Sequence, residues 1–365
     1  MTRTFSAYLD IVRFFAALTV FLGHAATGYM TGGLFWQLSV YGDTCVVVFF
    51  VLSGFVIGHV ADTKEQTWQL FFSNRAARLW SVVLPALLLT AIVDFVGVRM
   101  GPAIYAGPWF QSDHLPLRYL ASALMLQEVW HVWLVPGING PFWSLTYEAF
   151  YYAVFGVLLF VKSPAKWICA GVLLLAGGPL IAALFPIWGL GYAAYKVTRK
   201  MAFSPALNYF AFFSGGALLV LSPLIRSAIH HDMTVFGDPI LGRYSDGFGF
   251  FLNLIGAHGI AKSTADFSAK MRTLISTVAG TTFALYLFHR PLIQFFSYIG
   301  PSDSSSWQRR VLVIGGTLLI TFLAVPLTEL LRRRLSGSIV RVLPGASVAS
   351  LSDDLINVVG RRTGT

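Results

Sequence analysis

The sequence predicts an all-α fold: a polytopic membrane helical bundle of about ten transmembrane helices plus one interfacial or re-entrant segment, with both termini cytoplasmic. Three observations predict it. The 365 residues are 56% hydrophobic and only 12% charged, with mean hydropathy +0.69, a balance foreign to soluble domains. Apolar stretches long enough to cross a bilayer recur along the chain, separated by short loops. The lysines and arginines behind the net charge of +10 gather in alternate loops, as cytoplasmic loops require. No basic run is interleaved with aromatics on a polar background, so the charge does not signal nucleic acid.

In order, the apolar stretches are about 8–28, 41–60, 79–98, 118–134, 142–161, 166–183, 186–197, 205–222, 244–260, 273–297 and 310–331. If every one crossed, Lys162 and Lys166 would lie opposite Arg75 and Arg78, and each later loop would invert as well. Segment 118–134 resolves the conflict. Its Arg118, Glu128 and His131, with Trp130 and Trp133, mark an interfacial or re-entrant piece. The cytoplasmic side then collects most of the 26 lysines and arginines, from Arg3 and Lys64 to the run at Arg332. Stretch 186–197 is short for a span and is expected to be tilted or broken. Residues 1–335 form one membrane domain, and 336–365 are expected as a polar cytoplasmic tail. Because Arg13 interrupts the first apolar run, that helix is expected to be retained rather than cleaved as a signal peptide. Cys45 and Cys169 both lie in apolar stretches, and neither a disulfide framework nor a thiolate metal site follows from them.

The first helix organises the rest. It carries Asp10, Arg13 and His24 inside an otherwise apolar run. At roughly 100° per residue, Arg13 and His24 fall about 20° from eclipsed and about 16 Å apart along the axis. Asp10 lies one turn before Arg13 on the same side. An ionisable stripe in a membrane helix is costly unless it faces protein or water, and so marks a functional face. The plainer alternative is a buried Asp10–Arg13 pair that orients the helix, with His24 merely packed.

Arg75 and Arg78 stand one turn apart at the inner start of the third span. They could hold phosphates through forked, charge-assisted hydrogen bonds, or serve only as topology signals. Glu148 follows Trp143-Ser144-Leu145 at the outer start of span 142–161, and His289 comes late in an outward-running span. Two layers are therefore expected, arginines inside, then His24, Glu148 and His289 outside. His24 is the natural general base, because imidazole accepts and returns a proton near neutral pH. Glu148 could orient its ring, stabilise the imidazolium or act as acid. Ser144 shares a helical face with Glu148, or merely caps the helix after Pro141. His289 could equally hydrogen-bond only locally.

Weaker signals complete the inventory. His230-His231-Asp232 reads as a solvated loop rather than a metal site, since adjacent residues rarely converge on one ion; no metal is assigned. Asp94, deep in the third span, has no sequence partner and its role is open. The zinc-peptidase, Gly-x-Ser-x-Gly and phosphate-loop signatures are absent, which removes those classes.

Five motifs occur in order: Leu9-Asp10-Ile11-Val12-Arg13 with His24 at Arg-x10-His spacing, Phe49-Phe50-Val51-Leu52-Ser53-Gly54-Phe55, Asn74-Arg75-Ala76-Ala77-Arg78, Phe142-Trp143-Ser144-Leu145-Thr146-Tyr147-Glu148, and Leu285-Tyr286-Leu287-Phe288-His289. Through them the chain, over about 5–335, resembles the acyltransferase-3 family of integral membrane acyltransferases. The resemblance implies acyl-CoA, such as acetyl-CoA, as donor and a carbohydrate or glycolipid hydroxyl as acceptor. It implies essential roles for Arg13, His24 and Glu148, with His24 and Glu148 expected as catalytic residues and Arg13, Arg75 and Arg78 as the acyl-donor-binding set. Asp10, Trp143, Ser144 and His289 are expected in support. Many relatives carry a small residue and an acid before the Phe-Phe pair, where this chain reads Cys45-Val46-Val47-Val48.

The expected protein is an O-acetyltransferase of the bacterial inner membrane. His24 either deprotonates the acceptor hydroxyl or first takes the acyl group as a relay. The rival is a transporter, since intramembrane Asp, Arg and His could move a solute without covalent chemistry. It predicts inverted halves, and the two halves of this sequence show no such correspondence.

Overall fold

The computed structural model describes residues 1–101, 105–229 and 234–342. His230-His231-Asp232 and the tail beyond Val342 lie outside the described residues. The described chain is a helical bundle. Its members are α1 (Arg3–Ala25), α2 (Gly28–Thr31), α3 (Gly42–Thr63), α4 (Trp68–Met100), α5 (Leu115–Ala123), α6 (Trp143–Phe160) and α7 (Ala165–Gly177). They continue with α8 (Pro179–Lys200), α9 (Pro205–Val220), α10 (Ser222–Ala228), α11 (Leu241–Ser263), α12 (Ala269–Ala279), α13 (Thr282–Ile299) and α14 (Trp307–Val342). A small antiparallel hairpin, β1 (Thr234–Val235) and β2 (Asp238–Pro239), precedes α11.

Among the described residues, 6 helices are long and apolar enough to cross a membrane: α1, α3, α4, α6, α8 and α14. The pair α9 and α10, bent by 61°, would make a seventh. Both α11 and α13 are more polar, carrying Arg243, Asp246 and Asn253 in one case and His289, Arg290 and Gln294 in the other. The all-α, membrane-embedded class expected from composition is therefore the one observed.

Helix ends meet in two sets. At one end Thr4 donates to Asp266 (2.8 Å), Asp62 takes Lys196 and Arg199 (2.9 and 3.0 Å), and Asn74 meets Ser336 (3.2 Å). At the other, Asp43 takes Arg226 (3.2 Å), Thr44 meets Ser222 (2.8 Å), and Arg309 donates to the backbone of Met30 (3.0 Å). The start of α1 and the last turns of α14 thus share an end. Four helices that start there, α1, α4, α9 and α12, have side-chain caps from Thr2, Thr67, Ser204 and Ser268. By contrast α6 and α13 start among buried residues and have no side-chain cap.

Three boundaries differ from the sequence reading. The short stretch 186–197 belongs to the 22-residue α8, because the chain breaks earlier, at Gly178 (φ 101°), and Pro179 starts the new helix. Stretch 273–297 is two helices, α12 and α13, parted at Gly280-Thr281. The last apolar stretch, 310–331, lies within the longer α14, which runs on through Val342.

Segment 118–134 holds only the nine-residue α5 and an irregular strap, with left-handed backbone at Met125, Trp130, His131 and Trp133. The strap then runs into the bundle. Asn139 is fully buried and donates to Thr90 Oγ1 (2.9 Å) and Leu287 O (2.8 Å). Asp94 accepts the Ile138 N–H (3.1 Å), which gives that carboxylate its partner.

At the centre, α3 and α8 approach through glycines. A Cβ on Gly54 would strike the Trp188 backbone, and one on Gly191 would strike the Val51 carbonyl. Gly191→Val is expected to destabilise the bundle by about 1–3 kcal/mol or more, through overpacking. Thermal unfolding in detergent would read this as a lowered midpoint, and an unchanged midpoint would contradict the close approach.

Candidate active site

The upper part of the site comes from two helix faces. His24, in the last turn of α1, places Nδ1 2.8 Å from Nε2 of His289 on α13, with the rings stacked at 5.0 Å. His289 is fully buried, and its Nδ1 lies 2.9 Å from the Leu285 carbonyl. A carbonyl only accepts, so the His289 Nδ1 carries the proton and its Nε2 is the acceptor. His24 must then donate from Nδ1, which leaves its Nε2 with a free lone pair. His24 is itself exposed, so that nitrogen is reachable.

Farther along, a cavity lies between α1, α3, α4, α6 and α13. Its polar lining is Arg13, Ser53, Arg78, Ser144, Glu148, Thr282 and Tyr286; the rest is largely aliphatic and aromatic, with Phe49, Phe50, Val56 and Ile57. Arg13 pairs with Asp10 at 3.3 Å. Arg78 lines the cavity, attracted through space by Glu148 and Glu65 but with no hydrogen bond or ion pair among the described residues. Glu148 accepts a hydrogen bond from the Tyr152 hydroxyl, which also lies 3.5 Å from Ser53 Oγ. Ser144 Oγ meets the Tyr286 hydroxyl at 2.9 Å, and the Tyr286 ring sits 6.2 Å from that of His289. Tyr286 therefore bridges the cavity and the histidine pair.

The expected layers need correction. Glu148 lines the same cavity as Arg13 and Arg78, and the orienting partner of His24 is His289. The reason is the strap: it carries the chain into the bundle before α6 begins, so Glu148 lies deeper than an outer helix start would put it. Arg75 does not line the cavity. It is 6% exposed, ion-paired with Glu65, and packed against Phe71 and Tyr152. Ser144 is no cap; it sits inside α6 and bonds Tyr286. Trp143 packs edge-on against Tyr147 (5.2 Å) outside the cavity.

Sequence reasoning missed Tyr152, Tyr286, Ser53 and Thr282. Three of these carried a signal, since Ser53 and Tyr286 also lie inside two of the five motifs. Tyr152 is one turn beyond Glu148, and Tyr286 is one turn before His289, so each shares a helical face with a residue already singled out.

Residues 6–329 match the profile of the acyltransferase domain family. The chain is 28% identical over 173 residues to the acyltransferase MdmB of Streptomyces mycarofaciens, covering 44% of this chain and 42% of that protein. It is 22% identical over 316 residues to an O-acetyl transferase of Shigella phage Sf6, covering 77% of this chain and 92% of the phage protein. A third match, 31% over 134 residues, is to the exopolysaccharide production protein ExoZ of Rhizobium meliloti, covering 34% and 36%. The chain thus spans less than half the length of the first and third of these relatives in its matches to them. No solved structure matches it. Because that profile runs through nearly every helix of the bundle and through both the histidine pair and the arginine-lined cavity, the chain belongs to the acyltransferase-3 family of membrane acyltransferases.

Proposed function

We propose that the protein moves an acyl group, acetyl in the first instance, from cytosolic acyl-CoA to a hydroxyl of a carbohydrate or glycoconjugate. The carrying observation is the His24–His289 pair, which leaves an exposed imidazole nitrogen free to accept a proton. In this reading His24 Nε2 takes the proton of the acceptor hydroxyl while that oxygen attacks the thioester carbonyl. A C–O bond forms, the C–S bond breaks, and the departing CoA sulfur receives the proton from the His24 imidazolium. Arg13 and Arg78 hold donor phosphates, Tyr286 and Ser144 line the path between, and Glu148 fixes Tyr152 beside the arginines. Arg75 braces the site rather than touching the donor.

Ten crossings of a bacterial inner membrane, with both termini cytoplasmic, fit this chemistry. The pairing of α1, α3–α4, α8, α11–α12 and α14 ends at one face supports that arrangement. A sugar acceptor is suggested by the exopolysaccharide relative, and acetyl by the phage one. Nothing in the site favours the transporter. The test is isotopic: cells making the protein receive acetyl-CoA labelled in the acetyl carbon through permeabilised membranes. Label in base-labile ester linkage on surface polysaccharide is expected, and its absence from every glycan fraction would overturn the proposal.

A further inference from the structure

We infer that the N-terminus of α13 is a phosphate cradle, the third arm of an anion site whose other two arms are Arg13 and Arg78. It rests on acyl-CoA being the donor. The break at Gly280-Thr281 starts an 18-residue helix inside the bundle, and its first N–H groups have no intrahelical acceptors. A threonine in the N-cap position ordinarily turns forward to cap them. Thr281 turns back instead, donating to the Val278 carbonyl at 2.7 Å, and α13 has no side-chain cap.

Independent observations point to a ligand there. Thr282, the first residue of α13, lines the cavity, is 4% exposed, and its hydroxyl has no partner. A buried hydroxyl without a partner is costly, so one is expected to be supplied. Arg78 faces the same cavity with no hydrogen bond to its guanidinium among the described residues, Glu148 and Glu65 acting on it only through space. Two guanidiniums and a helix N-terminus face the cavity's one lining carboxylate, Glu148, which is already engaged by Tyr152, while Asp10 pairs with Arg13 at 3.3 Å from outside the lining. This surplus of hydrogen-bond donors at a helix N-terminus suits a phosphate.

The anion is the diphosphate and not the thioester oxygen. Thr282 precedes His289 by about two turns, roughly 10 Å of helix, whereas a thioester attacked with help from His24 must lie within hydrogen-bond reach of it. With the diphosphate at the α13 terminus, the pantetheine arm runs past Tyr286 to the histidines.

The experiment measures equilibrium binding of CoA, and of pantetheine lacking phosphate, to the purified full-length protein in detergent. Thr282→Val should weaken CoA binding about tenfold, Thr282→Ser should restore it, and neither should alter pantetheine binding. Arg78→Ala should weaken CoA binding at least as much. If Thr282→Val binds CoA as tightly as the parent while Arg78→Ala does not, the cradle is refuted and the donor assignment survives. If the parent binds CoA no better than pantetheine, the donor assignment falls and the cradle with it. A loss shared equally by CoA and pantetheine would mark a packing defect and would also refute the cradle.

Discussion

His24→Ala is expected to lower acyl transfer by about 10²- to 10⁴-fold while the protein remains folded. The side chain is exposed at the end of α1, so truncation removes little packing. What it removes is the nitrogen that the hydrogen-bond chain from Leu285 through His289 leaves unprotonated. His289→Phe should give a smaller loss with an altered pH profile, because the His24 ring and tautomer are then no longer fixed. The double variant should be no worse than His24→Ala alone, as expected of residues acting as one unit. Steady-state assays on detergent-purified variants check all three, and near-normal transfer by His24→Ala would remove the imidazole from the mechanism.

Arg75→Ala should instead be lost as folded protein. Arg75 and Glu65 are 6% and 4% exposed, and deleting one partner leaves the other charge buried and uncompensated, at about 3–5 kcal/mol. Asn74 also donates to Glu65 (2.8 Å) and meets Ser336 near the end of α14, so the defect would spread to that helix. Removing both charges, Arg75→Met with Glu65→Leu, should recover the folded protein and much of its donor affinity, because apolar pairs replace buried ion pairs well. Arg78→Ala contrasts with this: a stable protein with a raised donor KM. Size-exclusion profiles and donor kinetics separate the two cases. Folded Arg75→Ala protein deficient only in donor binding would return Arg75 to the donor site.

Much of this was legible in the chain because it is local. Asp10, Arg13 and His24 lie on one helix, where spacing alone fixes their relation. Segment 118–134 betrayed its non-spanning character by its charges and tryptophans. What was hidden depends on distant partners. No periodicity couples His24 to a histidine 265 positions away. Arg75 and Arg78 look equivalent until Glu65 claims one of them. Glu148 was placed too shallow because apolar runs do not reveal that a strap carries the chain inward, anchored by Asn139 and Asp94. The break at Gly280-Thr281 was passed over although Gly280, Thr281 and Thr282 interrupt the apolar run there.

The glycine contact between α3 and α8 has a reach beyond stability. Gly54 faces α8, while Ser53, Val56 and Phe49 on another side of the same helix form a wall of the cavity. Two absent methyl groups thereby gauge the bore available to an incoming acyl donor. A wedge at 54 or 191 presses that wall inward, so the girth of cargo this protein admits is calibrated from behind, by atoms that never touch it.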